Sequence, residues 1–292
     1  MANNNHVVLE EDNRQRLDVF IGSLHPTVSR AYIQKLCKED QILVNDKPEK
    51  AGYKLRAGNV VSLPDITADM NVAIPEIDLP ILYQDDNYVV INKPIGVITH
   101  ARGGSGPQEA SVASWLRQFV SDISGERAGI VHRLDRPTSG VMVGARNPET
   151  LSHLQKQFAQ RKTHKTYLAI VEGHIKEPAA IIDLPIERNP KAPARFKVGA
   201  SGKPSQTAYK VLRETEHYSL VELKPTTGRT HQLRVHLAYL GHPIVGDFFY
   251  GTEKDRLYLH AAELEITLPG GERKTFSAPL PAEFNTLLDN DC

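Results

Sequence analysis

The sequence of 292 residues predicts an α+β fold, in which a small α/β domain precedes a larger domain built on a mainly antiparallel mixed sheet. Two observations favour this class. After residue 81, short apolar or alternating segments outnumber helical ones, and the two kinds do not alternate regularly as βαβ units would require. A stretch rich in proline and acidic residues, 64–80, separates this part from a shorter unit of mixed helix and strand character.

The shorter unit is expected to cover residues 14–63, and the polar residues 1–13 before it are predicted to be disordered. Apolar side chains near helical spacing predict a helix over residues 29–37, with Ser29 as its N-cap. Alternation and a following turn signal predict strands in the unit. These strands are expected at residues 41–47 and 60–63.

Residues 64–80 are predicted to be a linker, because their three prolines remove backbone donors and oppose regular pairing. The large domain is expected to cover residues 81–292, with a glycine-rich loop at 96–108. Its other segments follow from periodicity. The expected strands are 87–93, 140–145, 165–172, 207–212, 218–223 and two within 257–268, and the expected helices are 111–120, 148–160 and 231–240.

The composition excludes several classes of protein. Hydrophobic residues at 40% and charged residues at 24% are ordinary for a soluble globular chain. No apolar run approaches the roughly 18 residues that cross a bilayer, and the polar start has no signal-peptide core. Cys37 and Cys292 form neither a disulfide framework nor a metal-ligand spacing. We therefore expect a cytoplasmic protein without membrane association, and a monomer by default.

The distribution of charge leaves two interpretations open. The 35 basic and 35 acidic residues cancel, which taken alone argues against a nucleic-acid partner. Residues 150–171, however, contain four basic and no acidic side chains, and residues 224–236 contain three basic and no acidic ones. This segregation fits a basic binding face on a neutral protein, and it fits an ordinary solvated surface equally well.

The run Gly129–Val143 concentrates side chains that can carry out chemistry, since His132, Arg133 and Arg136 surround Asp135. A proline and a glycine follow at once, so the aspartate is expected in a loop between sheet elements. An aspartate between arginines is commonly a salt-bridge or turn residue, and a catalytic role is the alternative.

A second run, Lys162–Val171, places Tyr167 at the start of a strand beside basic residues. An aromatic ring among lysines suits stacking on a base while the lysines hold phosphates. A plain half-buried strand residue is the alternative interpretation.

In a third run, Lys224–Leu237, Thr230 is the expected N-cap of a helix, and Arg229 beside the helix start favours an anion site. Arg234 lies one turn further, where it could pair with a carboxylate or a phosphate. A structural ion pair would explain Arg234 equally well.

The histidines of this region do not predict a metal centre. His231 and His236 are five residues apart and do not share a helix face, and no cysteine assists them or the later His242 and His260. No metal ligand is therefore expected.

Together the three runs resemble the RluA/RluD-type RNA pseudouridine synthases over nearly the whole chain. His132–Gly140 is similar to the family signature almost without departure, and Lys165–Tyr167 and Gly228–His236 resemble its second and third motifs. Residues 14–63 resemble the alpha-L RNA-binding module. The resemblance implies the pseudouridine synthase fold and an isomerase that detaches a uracil, turns it and rejoins it through carbon 5, without cofactor or metal.

The resemblance also implies roles for individual residues. Asp135 matches the catalytic carboxylate, Arg234 the cation that keeps it ionised, and Tyr167 the tyrosine that stacks on the target ring. Arg133 matches the residue that fills the gap left by a flipped base, and Leu233 an apolar floor under the ring. The remaining expected RNA contacts are His132, Arg161, Lys162, Lys165, Arg229, Arg30 and Lys35.

Two other functions stand against the isomerase. A catalytically silent RNA-binding or ribosome-assembly protein on the same fold would not need Asp135, Tyr167 or Arg234, and all three are present. A hydrolase using Asp135 with His132 is disfavoured, because the runs contain no second carboxylate and the chain no Gly-x-Ser-x-Gly elbow. By family analogy, ribosomal RNA is a more probable partner than transfer RNA.

Overall fold

Three hydrophobic clusters form the interior of the protein and lie in two separate units. The computed structural model describes residues 4–25, 28, 30–64, 76–100, 109–123, 127 and 129–291. The small domain comprises residues 1–76 with 100–110 and contains one cluster; the large domain comprises residues 77–99 with 111–292 and contains the other two. In the described part of the chain, no helix is long and apolar enough to cross a bilayer.

The small domain consists of two helices and a short antiparallel sheet. Its elements are β1 (Asn4–Val7), a 3-10 turn (Glu10–Asp12), α1 (Leu17–Leu24), α2 (Arg30–Lys38), β2 (Leu43–Val44), β3 (Lys47–Pro48) and β4 (Val60–Leu63). The strands lie in the order β1-β4-β2-β3. Fully buried Val61 and Leu63 of β4 share one cluster with Ile21 of α1 and Ile33 of α2.

The first strand corrects an expectation from the sequence. Asn4 to Val7 pair with β4, and the Ser62 hydroxyl donates a hydrogen bond of 2.7 Å to the Asn5 side-chain oxygen. The disorder expected for residues 1–13 is therefore wrong from Asn4 onward. Polar, mostly exposed residues gave no alternation to recognise, and the partner strand lies 57 residues away. The expected N-cap Ser29 falls outside the described residues.

The large domain is organised on one mixed sheet of nine strands. The strands of this domain are β5 (Ile81–Gln84), β6 (Tyr88–Lys93), β7 (Ser139–Ala145), β8 (His164–Glu172), β9 (Ala179–Asp183), β10 (Ile186–Arg188), β11 (Phe196–Val198), β12 (Gln206–Glu214), β13 (Tyr218–Pro225), β14 (Leu259–Thr267) and β15 (Arg273–Ser277). The sheet order is β5-β6-β7-β14-β8-β13-β12-β9, with β15 paired to β14, while β10 and β11 form a separate pair. Among the described strand pairings of this sheet, β7–β14 is parallel and the others are antiparallel. This confirms the expected mainly antiparallel mixed sheet.

The helices of the large domain are α3 (Val112–Leu116), α4 (Pro148–Ala159), α5 (Gln232–Tyr239) and α6 (Ala282–Asp289). Their starts follow local chemistry: a Ser111–Ser114 capping box precedes α3, and the Asn147 side chain caps α4 at a proline. The three expected helices form, although α3 ends at Leu116 and not near residue 120. The sequence did not predict α6.

The strand predictions fail where strands are short or exposed. Residues 257–268 form one strand, β14, and not two, because β15 supplies the partner that was expected inside that range. β9 has one buried side chain among five, so its sequence carries no apolar alternation. Such edge strands are specified by backbone pairing with a distant partner and not by their own periodicity.

A close backbone approach fixes the start of β7. Gly140 has φ +119°, and a Cβ there would lie 2.2 Å from the Ala261 carbonyl oxygen of β14. Only glycine permits this conformation and this approach. Asp135 lies five residues earlier, in the loop that leads into β7, so this contact sets where the loop meets the sheet.

Candidate active site

The loop before β7 is anchored to the protein by backbone and buried polar contacts. The Thr99 hydroxyl donates to the Leu134 carbonyl at 2.7 Å and accepts from the Leu134 amide at 3.1 Å. The next turn closes with the Thr138 amide donating to the Asp135 carbonyl at 3.1 Å. The sequence prediction of a loop position for Asp135 is confirmed, and the loop is held on both sides of that residue.

A buried lysine lies beneath the same loop. Lys93, fully buried at the end of β6, donates from Nζ to the carbonyls of Pro94, Val97 and Arg136 at 2.8, 2.9 and 3.3 Å. Burial lowers the pKa of Lys93 to about 7, and Asp135 opposes that shift. The sequence analysis did not identify Lys93, whose only local signal is a lysine at the end of an apolar strand.

The Asp135 carboxylate has two nitrogen neighbours on one of its oxygens. Arg234 Nη1 lies 3.7 Å from Oδ2, and His231 Nε2 lies 3.8 Å from the same atom. Oδ1 has no hydrogen-bond donor among the described residues. The side chain remains 20% exposed, so solvent reaches the carboxylate while its Oδ2 lies beside the two nitrogens.

Arg234 is buried on α5 and is held chiefly by a residue that the sequence analysis missed. Its Nε and Nη2 donate to the two oxygens of Asp247 at 2.7 and 2.6 Å, a bidentate pair with side chains 2% and 0% exposed. The rings of Phe248, Phe249 and Tyr250 lie 5.3–5.7 Å from the guanidinium carbon. Both interpretations of Arg234 therefore apply: it forms a structural ion pair, and it faces Asp135.

Tyr167 lies in β8 between β14 and β13 and packs against both hydrophobic clusters of the large domain. Burial raises the pKa of the phenol, and the nearby Asp135 raises it further. The ring is thus a half-buried strand residue, and it also belongs to the electrostatic neighbourhood of the carboxylate.

The start of α5 differs from the expected one by a residue. His231, and not Thr230, is the N-cap, and it adopts the left-handed conformation with φ 56° and ψ 20°. Thr230 is exposed and makes no capping bond. The Gln232 side-chain oxygen accepts from the Arg229 amide at 3.0 Å, which ties the preceding loop to the first residue of α5.

His132 occupies a structural position. Its ring stacks on Phe158 with centroids 4.7 Å apart, and Nε2 accepts a hydrogen bond from the Val143 amide at 3.0 Å. Burial and, to a lesser extent, Lys165 lower the pKa of His132 to about 3. The ring is therefore neutral near pH 7, and this geometry does not favour the phosphate contact expected from the sequence.

The other expected RNA contacts of the large domain differ in exposure. Arg161 and Lys162 are exposed after α4, Arg133 is exposed beside His231, and Arg229 is half-buried. Lys165 is half-buried, and burial lowers its pKa. Leu233 is buried in the core cluster.

In the small domain, a buried carboxylate already holds one of the expected RNA contacts. Asp18 accepts from Arg16, from Arg30 Nε at 2.9 Å and from Gln34 at 2.9 Å. Lys35 lies 3.8 Å from Glu39 on the surface of α2. Both Arg30 and Lys35 remain substantially exposed, so their charges still face solvent.

The described residues contain no group of three His, Cys, Asp or Glu side chains arranged to hold a metal. His236 lies 3.0 Å from both the Thr207 hydroxyl and the Leu184 carbonyl, and His260 contacts the Ser139 hydroxyl at 2.9 Å.

A cavity of about 220 Å³ borders the loop on its Arg136–Pro137 side, but neither Asp135 nor Tyr167 lines it.

Two family models match the chain: one described as RNA pseudouridylate synthase over residues 87–239, and the S4 domain over residues 15–61. Ribosomal large subunit pseudouridine synthase C of Vibrio cholerae is 33% identical over 298 residues, covering 94% of this chain and 92% of its own. An uncharacterized RNA pseudouridine synthase of Aquifex aeolicus is 40% identical over 250 residues, covering 82% and 78%. The solved structure of human RNA pseudouridylate synthase domain containing 1 has a TM-score of 0.58 and 32% identity, covering 71% and 86%.

Proposed function

The chain belongs to the RluA-type family of RNA pseudouridine synthases, with an N-terminal S4 domain, and we propose that it isomerises uridines of large-subunit ribosomal RNA with Asp135 as the catalytic carboxylate. The observation that carries the proposal is the pairing at this carboxylate. One oxygen faces the Arg234 guanidinium at 3.7 Å, and the other has no donor among the described residues.

The chemistry of the isomerisation needs that arrangement. The uracil leaves its glycosidic bond, turns, and is rejoined through carbon 5. Asp135 either adds to the sugar or the ring, or takes a proton from the ribose, and each route uses an ionised carboxylate with an accessible oxygen. A guanidinium within ion-pair distance compensates a charge that burial would otherwise oppose.

Tyr167 and Leu233 are proposed to hold the uracil. The phenol ring supplies a flat face, and because burial and Asp135 raise its pKa, it keeps its proton and serves as a donor rather than a base. Leu233 belongs to the apolar cluster under the same region. Positioning of the ring against the carboxylate is what an isomerase requires of such side chains.

The uridine would reach the carboxylate by leaving its base stack. Flipping costs a few kcal/mol, and a planar cation that fills the gap offsets part of it. Arg133 is exposed and lies two residues from Asp135, which suits this role. Arg161 and Lys162, exposed near the start of β8, suit phosphate contacts that add affinity without sequence information.

The RNA substrate class rests on the relatives. Proteins of Vibrio cholerae and Xanthomonas campestris similar to this chain over more than 90% of its length are named ribosomal large subunit pseudouridine synthases. The S4 domain would supply additional RNA contacts through side chains such as Arg30 and Lys35. The proposed location of the protein is the cytoplasm. It is further proposed to act as a monomer and to need no cofactor.

The decisive test is Asp135→Asn. Pseudouridine formation should fall on the order of 10⁴-fold, as for removal of one member of a catalytic group, while the Kd for RNA stays within about twofold. Chemical mapping of pseudouridines in total RNA from cells with and without the protein identifies the sites, and single-turnover assays on the mapped transcript measure the rate.

Asp289→Asn is the matched control, since Asp289 is 63% exposed and lies in the surface pair with Arg213. It should leave both rate and affinity unchanged. Full activity of the Asp135→Asn protein would refute the assignment of this residue. RNA binding by the wild type without any pseudouridine would favour a silent RNA-binding protein instead.

A further inference from the structure

We propose that His231 is a positioning residue, which holds a neutral Nε2–H group against Oδ2 of Asp135, and that the Tyr250 hydroxyl selects this tautomer. The proposal rests on the proposed function in one respect, the catalytic role of Asp135. It concerns three groups that form a chain ending at the carboxylate: the backbone of Phe196, the Tyr250 hydroxyl and the His231 ring.

The direction of the hydrogen bonds follows from the one group whose role is fixed. The Phe196 amide can only donate, and it lies 2.8 Å from the Tyr250 oxygen. That oxygen therefore accepts, and since the described residues offer its own hydrogen no other acceptor, we assign that hydrogen to His231 Nδ1, which lies 2.9 Å away. Nδ1 is then an acceptor, and the proton of the neutral ring resides on Nε2, the nitrogen that faces Asp135.

The phenol retains the hydrogen that this argument needs. Burial raises the pKa of Tyr250, so its hydroxyl is protonated near pH 7. Burial also lowers the pKa of His231; Asp135 and Asp247 oppose the shift, while Arg234 and Arg133 add to it. The balance favours a neutral ring, which is the form in which a tautomer is a meaningful property.

The backbone of His231 indicates that the ring position is imposed. A non-glycine residue at φ 56° occupies the sparsely populated left-handed region, which L side chains adopt only when their surroundings impose it. The ring is also enclosed by edge and tilted contacts to Phe196, Phe249 and Tyr250, with centroids 5.6–5.7 Å away. A side chain held in this way can present one nitrogen to a fixed point.

A neutral donor gives Asp135 something that a second cation would not. It directs one oxygen without adding full positive charge, so the other oxygen keeps its ability to attack or accept a proton. The 3.8 Å separation is longer than a hydrogen bond, and such contacts commonly shorten when substrate binds. His231 and Arg234 together thus leave Oδ1 as the reacting atom.

The tautomer is measurable directly in the full-length protein. Long-range ¹H–¹⁵N spectra of protein labelled at its 12 histidines distinguish Nδ1–H, Nε2–H and the doubly protonated ring. The His231 signal is the one missing from the His231→Gln spectrum. We expect Nε2–H in the wild type at pH 7, and a shift toward Nδ1–H in Tyr250→Phe. An Nδ1–H or doubly protonated wild-type ring overturns the proposal.

Kinetics separates positioning from a purely structural role. Tyr250→Phe should lower the single-turnover rate on a mapped ribosomal RNA transcript about 10- to 100-fold, the range typical for loss of a group that orients a histidine, with Kd unchanged. His231→Gln retains an amide donor. The fall in the logarithm of its rate should therefore be less than half of the fall measured for His231→Leu. Equal rates for the Gln and Leu variants contradict the proposal.

Tyr209→Phe is the matched control, because it likewise removes a tyrosine hydroxyl that is hydrogen-bonded to the backbone, here the Glu177 carbonyl at 3.1 Å, away from the carboxylate. It should change neither the tautomer nor the rate. Different results contradict the two proposals. Full activity of the Asp135→Asn protein contradicts the proposed function, whereas an Nδ1–H or doubly protonated His231 in the wild type contradicts only the role of His231. Should Tyr250→Phe not fold, the wild-type spectrum and the His231 pair still decide.

Discussion

Replacing Asp247 should strongly lower the free energy of unfolding of the large domain, although this buried carboxylate lies away from the exposed part of the site. In Asp247→Asn, the Arg234 guanidinium loses both of its 2.6–2.7 Å bonds to a charged partner while remaining 2% exposed. Breaking a buried pair on one side typically costs about 3–5 kcal/mol, because an uncompensated charge stays inside. At about 2–4 °C per kcal/mol for a domain of this size, Tm should fall by about 6–20 °C.

The measurement uses the single tryptophan of the chain. Trp115 is buried in α3 within the large-domain core, so its fluorescence during urea unfolding reports on that domain. Three proteins complete a cycle: Asp247→Asn, Arg234→Met and the double variant. Since the double variant lacks the Asp247 charge that Arg234→Met leaves buried without its guanidinium, it should be more stable than Arg234→Met alone.

Asp289→Asn provides the comparison with an exposed Arg–Asp pair. Its pair with Arg213 has a 2.8 Å contact but side chains 40% and 63% exposed, so the loss should be about 0–1 kcal/mol. If Asp247→Asn loses no more than this surface variant, or if the losses in the buried cycle simply add, burial of the pair does not have the energetic role given to it here.

Three further outcomes are expected. Arg16 lowers the pKa of Asp18 and burial raises it, with a net lowering. The ionised carboxylate therefore stabilises the small domain above an ordinary aspartate pKa of about 3.9, and this stabilisation is lost as the pH falls below that value. Hydrogen exchange of α1 should accelerate at such low pH in the wild type but not in Asp18→Asn. Gly140→Ala should abolish activity and cost more than about 1–3 kcal/mol, because its Cβ meets β14 backbone, and a normal urea midpoint would contradict this. Replacing Arg161 and Lys162 by alanine should reduce the slope of log affinity against log salt by about 0.7–0.9 per lost phosphate contact, and an unchanged slope would remove them from the RNA surface.

The sequence predicted the parts of the site that local signals encode. Asp135 was expected in a loop because proline and glycine follow it, and Tyr167 on a strand because its neighbours alternate. Asp247 was missed because its role depends on Arg234, thirteen residues away across a turn. A signal was present: Asp247 is the only acidic residue between Glu222 and Glu253, and one glycine separates it from the apolar pair Ile244 and Val245.

The same distinction applies to the fold and to His231. Helices with a cap and an apolar stripe were predictable, whereas β1 and β9 depend on partners distant in sequence, and β15, although it follows its partner β14 directly, has one buried side chain among five. The sequence also placed the start of α5 at Thr230, since threonine is a common cap and histidine is not. The left-handed His231 is where local preference is overridden, and it is also where a side chain meets the carboxylate.

The geometry around Arg234 explains why a carboxylate can be both stabilised and reactive. One guanidinium faces two carboxylates, so the three groups together carry one net negative charge. Asp247 is completely buried and uses Nε and Nη2, which leaves only Nη1 for Asp135, at 3.7 Å. The tight pair therefore takes most of the hydrogen-bonding capacity, and the excess negative charge lies on the partly exposed Asp135. Loss of the Asp247 carboxylate would remove the two bonds that hold the guanidinium with Nη1 toward Asp135, so the variant should lose activity beyond what its reduced stability explains.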